Sequence, residues 1–306
     1  MGSLARSTQA ANIASNTDVS IPPILSSAAD LLGRYDVLLC DLWGVVHDGR
    51  KAYPGANDAL PRFRSAGGTV VMVSNAPMTA PAIAELLADK GVRRDGWDAI
   101  VGSGDLALKY IADQRYVRVY GIGPRVRDAS FFDAVPNLVD SLADADAVAC
   151  TGLVDDHRES AEQYLPLLRE ACARQLPFVC VNPDLAVHVG ADLLPCAGAI
   201  AALYEAMGGH VFWGGKPHPV AYATALAMAA DIRGHKLDLR RVLGIGDAVR
   251  TDVKSAETAG VDSLFIAGGL HRDELIVDGV VQPAPLAHLL AHNAAQPKAV
   301  MTHLAW

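Results

Sequence analysis

Tyr35-Asp-Val-Leu-Leu-Cys40-Asp41-Leu-Trp-Gly-Val-Val-His-Asp-Gly49 sets an apolar run directly against a carboxylate and a glycine-containing turn. An apolar run without polar alternation suits a strand covered on both faces, the kind found in parallel sheets. The pattern recurs where Thr69–Val73 leads into Ser74 and Asn75, and where Val242–Gly246 leads into Asp247. Between these runs lie stretches of helical period at Asn57–Ser65, Ala80–Lys90, Val220–Asp231 and Asp252–Ala259. Strands alternating with helices predict an α/β fold on a Rossmann-like parallel sheet. In such sheets ligands bind beyond the carboxyl ends of the strands, where these polar residues fall.

The middle of the chain has its own apolar runs at Val117–Tyr120, Ala147–Cys150 and Phe178–Val181, with a helical stretch at Ala161–Ala173. The polar strand ends on either side of it belong to one expected site. The middle therefore reads as an inserted α/β unit, residues 79–211, in a core of residues 25–78 and 212–306. Residues 1–24, rich in Ser, Ala, Asn and Thr and closing on Pro22-Pro23, read as a flexible N-terminal extension.

Composition agrees with this division. A chain of 306 residues has room for two domains at about 150 residues each, and 51% hydrophobic residues suffice for two cores. A net charge of −8 has the wrong sign for a general nucleic-acid binder, so no such partner is expected. The five cysteines are scattered and form no Cys-x-x-Cys pair, which suits reduced, buried thiols. No window reaches the ~18 apolar residues of a membrane span, and the first thirty residues lack a signal-like apolar core, so the expectation is a cytoplasmic protein without a membrane partner.

Four pieces of sequence carry candidate chemistry. Asp41 ends a buried strand, where a carboxylate is costly unless it is ligated, hydrogen-bonded or used; a turn-capping Asp is the plainer reading. Gly244-Ile-Gly-Asp247-Ala-Val-Arg-Thr-Asp252 sets two acids close together, an oxygen donor set that suits Mg²⁺, against the plainer reading of a helix N-cap. Gly214-Gly-Lys216-Pro-His-Pro219 holds a lysine in a turn before a helix, or is loop punctuation. Ser74 and Asn75 offer a hydroxyl and an amide to a phosphate oxygen, or are an ordinary strand exit. Together, a nucleophilic carboxylate, a hydroxyl, a lysine and an acid pair are what phosphoryl transfer through an aspartyl-phosphate requires.

In this order and spacing the motifs resemble the haloacid dehalogenase superfamily, from about Tyr35 to Leu270. Tyr53-Pro-Gly-Ala-Asn-Asp-Ala-Leu60, Val181-Asn-Pro-Asp184, Gly215-Lys-Pro217 and Gly246-Asp-Ala-Val-Arg-Thr-Asp252 are similar to its subfamily IIA, which carries a large α/β cap between the second and third motifs. The resemblance implies a Mg²⁺-dependent phosphatase acting on a small phosphorylated metabolite. It makes Asp41 the nucleophile, with Ser74 and Lys216 holding the phosphoryl group. Asp41, Asp247 and the backbone carbonyl of Trp43 would ligate the metal, and Asp252 would orient the site. Asn75 and the cap residue Asp184 would face the substrate, and a homodimer through the cap is implied as well.

The resemblance breaks at Trp43. Phosphatases of the family carry a second Asp there, as general acid and then base, and indole cannot transfer that proton. His47, Asp48 and His218 are the candidate substitutes nearby. Three readings stay open: a phosphatase that is slow or confined to leaving groups needing no protonation, a catalytically weak binder of a phosphorylated metabolite or regulatory partner, and a 2-haloacid dehalogenase. The dehalogenases carry an aromatic residue at this place but have no use for the retained acid pair. Gly121-Ile-Gly123 and Gly244-Ile-Gly246 lack the third glycine of a dinucleotide fingerprint. His288 and His292 have no third ligand nearby and read as a solvated helix face.

Overall fold

The computed structural model describes residues 21–189 and 192–306. The strands in chain order are β1 (Val37–Cys40), β2 (Thr69–Ser74), β3 (Ala99–Gly102), β4 (Val119–Ile122), β5 (Leu138–Val139), β6 (Ala147–Cys150), β7 (Phe178–Cys180), β8 (Ala186–Val189), β9 (Asp192–Pro195), β10 (Val211–Trp213), β11 (Val242–Gly246), β12 (Asp262–Ile266), β13 (Ile276–Val277), β14 (Val280–Val281) and β15 (Ala299–Met301). Six of them form one sheet in the order β15-β12-β11-β1-β2-β3, every neighbouring pair parallel. Five more form a second parallel sheet in the order β10-β7-β6-β4-β5. This is the expected α/β architecture, a Rossmann-like parallel core with helices interleaved.

The unbroken apolar run of β1 follows from its central place. Leu38 and Cys40 enter a core shared with Leu60 and Phe63 of helix Pro54–Ser65, while Val37 and Leu39 enter a core on the other face with Ala221 and Ala225 of helix Pro219–Arg233. Both faces are dry, so the strand has no position for a polar residue until it leaves the sheet at Asp41.

Two expected boundaries shift. The segment that was to open the inserted unit at residue 79 stays with the large sheet: β3 pairs with β2, and Ile83 and Leu87 of helix Ala80–Asp89 pack into the same core as Leu38. At the other end β10 pairs with β7, so the second sheet runs on to Trp213. β3 is only four residues long, begins in alanine and ends in glycine, and so carries little of the pattern that marks a buried strand. The extension expected over residues 1–24 is also shorter: Ile24 bridges to Val300, and Pro23 O accepts the Val300 N–H at 2.9 Å, so this stretch runs along β15. The remainder, residues 1–20, lies outside the described residues. Among the described residues no helix is long and apolar enough to cross a membrane.

Candidate active site

β1 lies between β2 and β11, with Cys40 opposite Met72 on one side and Ile245 on the other. Asp41, Ser74 and Asp247 therefore come together at the carboxyl ends of three adjacent strands. Lys216 reaches into the same place from the loop after β10: its Nζ donates to Asp41 Oδ1 at 2.5 Å and to Asp252 Oδ1 at 2.7 Å. Asp252 sits in a π-helical turn, Val249–Val253, ahead of helix Lys254–Ala259, and its Oδ2 accepts the Ala248 N–H at 3.0 Å. Asp247 Oδ2 accepts the Leu270 N–H at 2.7 Å.

Glycines make room for this convergence. Gly44 has φ +79°, and a Cβ there would fall 1.9 Å from Asp247 Oδ2; a Cβ on Gly269 would fall 2.1 Å from the same atom. The loop carrying Lys216 is held as tightly: a Cβ on Gly215 would fall 2.4 Å from Asn75 Oδ1. The glycine after Asp41 thus serves the bend expected of it and also clears space for a second acid more than 200 residues away in sequence.

One oxygen from each of Asp41, Asp247 and Asp252 lies within 4.8 Å of the others, and all three residues have little solvent contact. If all three carboxylates ionise, as metal ligation requires, one ammonium leaves two negative charges uncompensated. Burial pushes Asp41 up to about 7 even though Lys216 pulls the other way. Burial, with Asp41 and Asp252 adding to it, drives Asp247 well above the usual carboxylate range. Burial works against the Lys216 charge, but Asp252 and Asp41 outweigh it and hold the ammonium well above its ordinary value. All-oxygen donors with an excess of two negative charges match a divalent hard cation in both charge and chemistry.

Asn75 lines the cleft and also holds the lysine loop. Its Oδ1 accepts the Lys216 N–H at 2.8 Å, and its Nδ2 donates to Lys216 O at 2.9 Å and to Asp184 Oδ1 at 2.9 Å. Both amide hydrogens and the carbonyl are thus engaged by protein, so the side chain seats the lysine loop from its place in the cleft lining. Asp184, from the segment after β7, is half-buried against this amide, and desolvation raises its carboxyl. Ser74 is nearly buried; its Oγ accepts the Ala76 N–H at 3.1 Å, which leaves the hydroxyl proton free to be donated.

The three candidate proton carriers also fall in unexpected settings. His47 is 1% exposed; its Nδ1 accepts the Gly49 N–H at 3.0 Å, and burial lowers it to about 4. It is a neutral histidine built into the turn. Asp48 Oδ1 accepts the Arg50 and Lys51 N–H groups, each at 2.8 Å, and these bonds hold its carboxyl low. His218 stacks on Trp213 with centroids 5.0 Å apart and precedes helix Pro219–Arg233, away from the cleft lining. None of the three is presented as an acid poised near neutrality.

The state of His47 makes a stability prediction. Its folded pKa lies below the unfolded value, so the unfolded chain binds more protons between pH 6.5 and 4. Its contribution is complete above pH 6.5 and is lost as pH falls toward 4, amounting to roughly 3 kcal/mol. Denaturant titrations of the parent and of His47→Asn, which keeps an acceptor for Gly49, should show a shallower acid loss in the variant. Parallel curves would mean that the imidazole is not buried neutral.

A cleft of about 1040 Å³ runs from these residues to the second sheet. Its far wall holds Arg127, Asp128, Thr151 and Asp156, none of which the sequence singled out. Arg127 Nε donates to Asp128 Oδ1 at 3.0 Å, and its Nη1 pairs with Asp156. These residues carry no motif, and only the tertiary packing brings them to the cleft.

The arrangement has known counterparts. A haloacid dehalogenase-like hydrolase model matches residues 38–134, and a related HAD-hydrolase-like model matches residues 213–305. The chain is 30% identical over 293 residues to D-glycerol 3-phosphate phosphatase of Mycobacterium tuberculosis, covering 89% of this chain and 75% of that one. It is similar to the crystal structure of a haloacid dehalogenase-like hydrolase from Brucella suis, with 38% identity, a TM-score of 0.78, and coverage of 90% of this chain and 97% of that one. A p-nitrophenyl phosphatase from Archaeoglobus fulgidus shares the fold at 22% identity and a TM-score of 0.67, over 88% of this chain and 97% of that one. Motif order, sheet topology and relatives agree: the chain belongs to the haloacid dehalogenase-like hydrolases.

Proposed function

We propose that this hydrolase is a phosphatase: it hydrolyses a small phosphoric monoester through an aspartyl-phosphate on Asp41, with Mg²⁺ held at the acid cluster. The observation that carries this reading is Lys216, whose ammonium bridges Asp41 and Asp252 beside Ser74 and Asp247. A lysine so held keeps its charge while it lies against the nucleophile, where negative charge gathers on a transferring phosphoryl group. The phosphatase named among the relatives supports the same reaction class.

In this mechanism Asp41 attacks phosphorus and the ester oxygen departs with its bonding electron pair. Lys216 neutralises the phosphoryl oxygens, and the Ser74 hydroxyl donates to one of them. Asp252 keeps Lys216 in place, and Asn75, backed by Asp184, fixes the backbone of the lysine loop. Asp41 and Asp247, with the backbone carbonyl of Trp43, would hold the metal. When bound, Mg²⁺ supplies Lewis-acid neutralisation of the phosphoryl charge. Water then cleaves the acyl phosphate and frees Asp41. The cap wall, with Arg127 held between Asp128 and Asp156, meets the remainder of the substrate.

Metal removal tests the reading. Nitrophenyl phosphate turnover should fall at least about 100-fold in excess chelator, since a charge clamp of this kind is worth several kcal/mol, and should return on adding Mg²⁺. Halide release from a 2-haloacid in chelator would favour the dehalogenase. Stabilisation by phosphate and Mg²⁺ without turnover of any ester would favour the binder.

A further inference from the structure

Trp43 stands where a proton donor would be expected, and its surroundings give it a different use. Its indole lines the cleft beside Asp41 and remains 38% exposed, although it is among the largest apolar side chains of the molecule. It is also rigidly placed. A Cβ on Gly49 would fall 2.5 Å from Trp43 Cη2 and 2.7 Å from Cζ2, so the benzo ring lies against bare backbone. Gly49 has φ +84°, a conformation that suits glycine, and His47 meets the indole edge-on with centroids 5.4 Å apart. The buried, neutral His47 and the Asp48 turn fix the segment on which both contacts depend.

One side of the ring is thus packed and the rest is offered to the cleft, next to the nucleophile. A fixed aromatic surface left open in a cleft is a stacking platform for a flat, conjugated group. The chemistry at the same residue asks for the same group: with no acid at this position, the departing oxygen must carry its electron pair unaided, as an aryl or enol oxygen can by delocalisation.

Resting on the phosphatase reading, we propose that Trp43 determines specificity by stacking on the leaving group, and that the substrates are esters whose phosphate oxygen is borne on an sp² carbon, aryl or enol phosphates. The Asp41 carboxylate forms the new O–P bond. The ester P–O bond breaks with its electron pair delocalised into the stacked π system, and the released oxyanion takes its proton from bulk water. Water attack on the acyl phosphate then returns inorganic phosphate and the free carboxylate.

The test is binding of two non-hydrolysable phosphonates of similar size, phenylphosphonate and cyclohexylphosphonate, to the Mg²⁺-loaded full chain by calorimetry. Phenylphosphonate should bind about 5- to 10-fold more tightly, the usual worth of an aromatic stack. Trp43→Ala should erase the preference and Trp43→Phe should keep part of it, each with a melting curve showing a folded protein. If Trp43→Ala does not fold, retention of the preference in Trp43→Phe together with loss in Trp43→Leu decides the point. Equal binding of the two phosphonates by the parent, or an unchanged preference without the indole, overturns the stacking proposal and leaves the phosphatase reading standing. Failure of both phosphonates to bind overturns the phosphoryl site itself, and the stacking proposal with it.

Discussion

Asp41→Asn abolishes nitrophenyl phosphate turnover, by at least about 10⁴-fold, while the protein stays folded. The amide is nearly isosteric, and its Oδ1 can still accept the Lys216 bond that Asp41 Oδ1 accepts at 2.5 Å, so the lysine loop keeps its seat. An amide oxygen is a poor nucleophile, and removing the covalent route of a hydrolase commonly costs on the order of 10⁴- to 10⁶-fold. Stability separates loss of chemistry from loss of fold. Without metal, burial raises Asp41 to about 7, so its folded pKa lies above its unfolded one. Its stabilising share is therefore present at low pH and disappears as pH rises from about 4 toward 7. At pH 8 in chelator the buried charge burdens the parent, and Asp41→Asn should melt at the same temperature or higher. Steady-state rates and melting curves on the two proteins check both parts. Residual turnover above about 1% of the parent would remove Asp41 from the role of nucleophile.

How much of this could be read before the structure depends on which contacts are local. The dry central strands announced themselves because β1, β2 and β11 are buried on both faces and tolerate only apolar residues. The residues leaving them, Asp41, Ser74 and Asp247, were legible for the same reason, since each breaks such a run. The lysine and Asp252 followed from motif order. The partners of these residues were not legible. Asn75 meets Asp184 across 109 positions and Lys216 across 141, and no local pattern encodes either bond. His47 reads as a candidate acid because it lies on the segment just after the Asp41 turn; its burial is decided by the way the turn folds over it. The wall of Arg127, Asp128 and Asp156 was missed entirely, because paired charges on a loop look like a solvated surface until the fold turns them inward. β3 joins the large sheet although it falls inside the unit expected from residue 79, because four residues ending in glycine say little about which sheet edge they join.

Trp43→Asp should exchange one specificity for another, and the exchange is larger than either half alone. A carboxylic acid placed two residues after the nucleophile could protonate a departing alkoxide and later deprotonate the attacking water. General acid–base catalysis of that kind is worth about 10² to 10⁴ in rate. Turnover of an alkyl phosphate such as glycerol 3-phosphate should therefore rise by at least about 100-fold over the parent. Nitrophenyl phosphate should gain far less, because its leaving group is already stable as an anion, and its KM should rise as the indole surface is lost. The ratio of the two kcat/KM values thus swings toward the alkyl ester from both ends. The Gly49 backbone that the indole now covers, where a Cβ would meet the ring at 2.5 Å, becomes open to solvent, so a modest fall in melting temperature should accompany the gain. A matched pair of progress curves on the two esters, parent against variant in saturating Mg²⁺, measures the swing. A variant that stays inert toward the alkyl ester while remaining folded and able to bind phosphonate would show that the missing acid is not what limits this enzyme. A parent that already turns over the alkyl ester as fast as the aryl ester would show that another group in the cleft supplies the proton. Asp156 and Asp184, as cleft-lining carboxylates outside the metal cluster, would then be the first to replace.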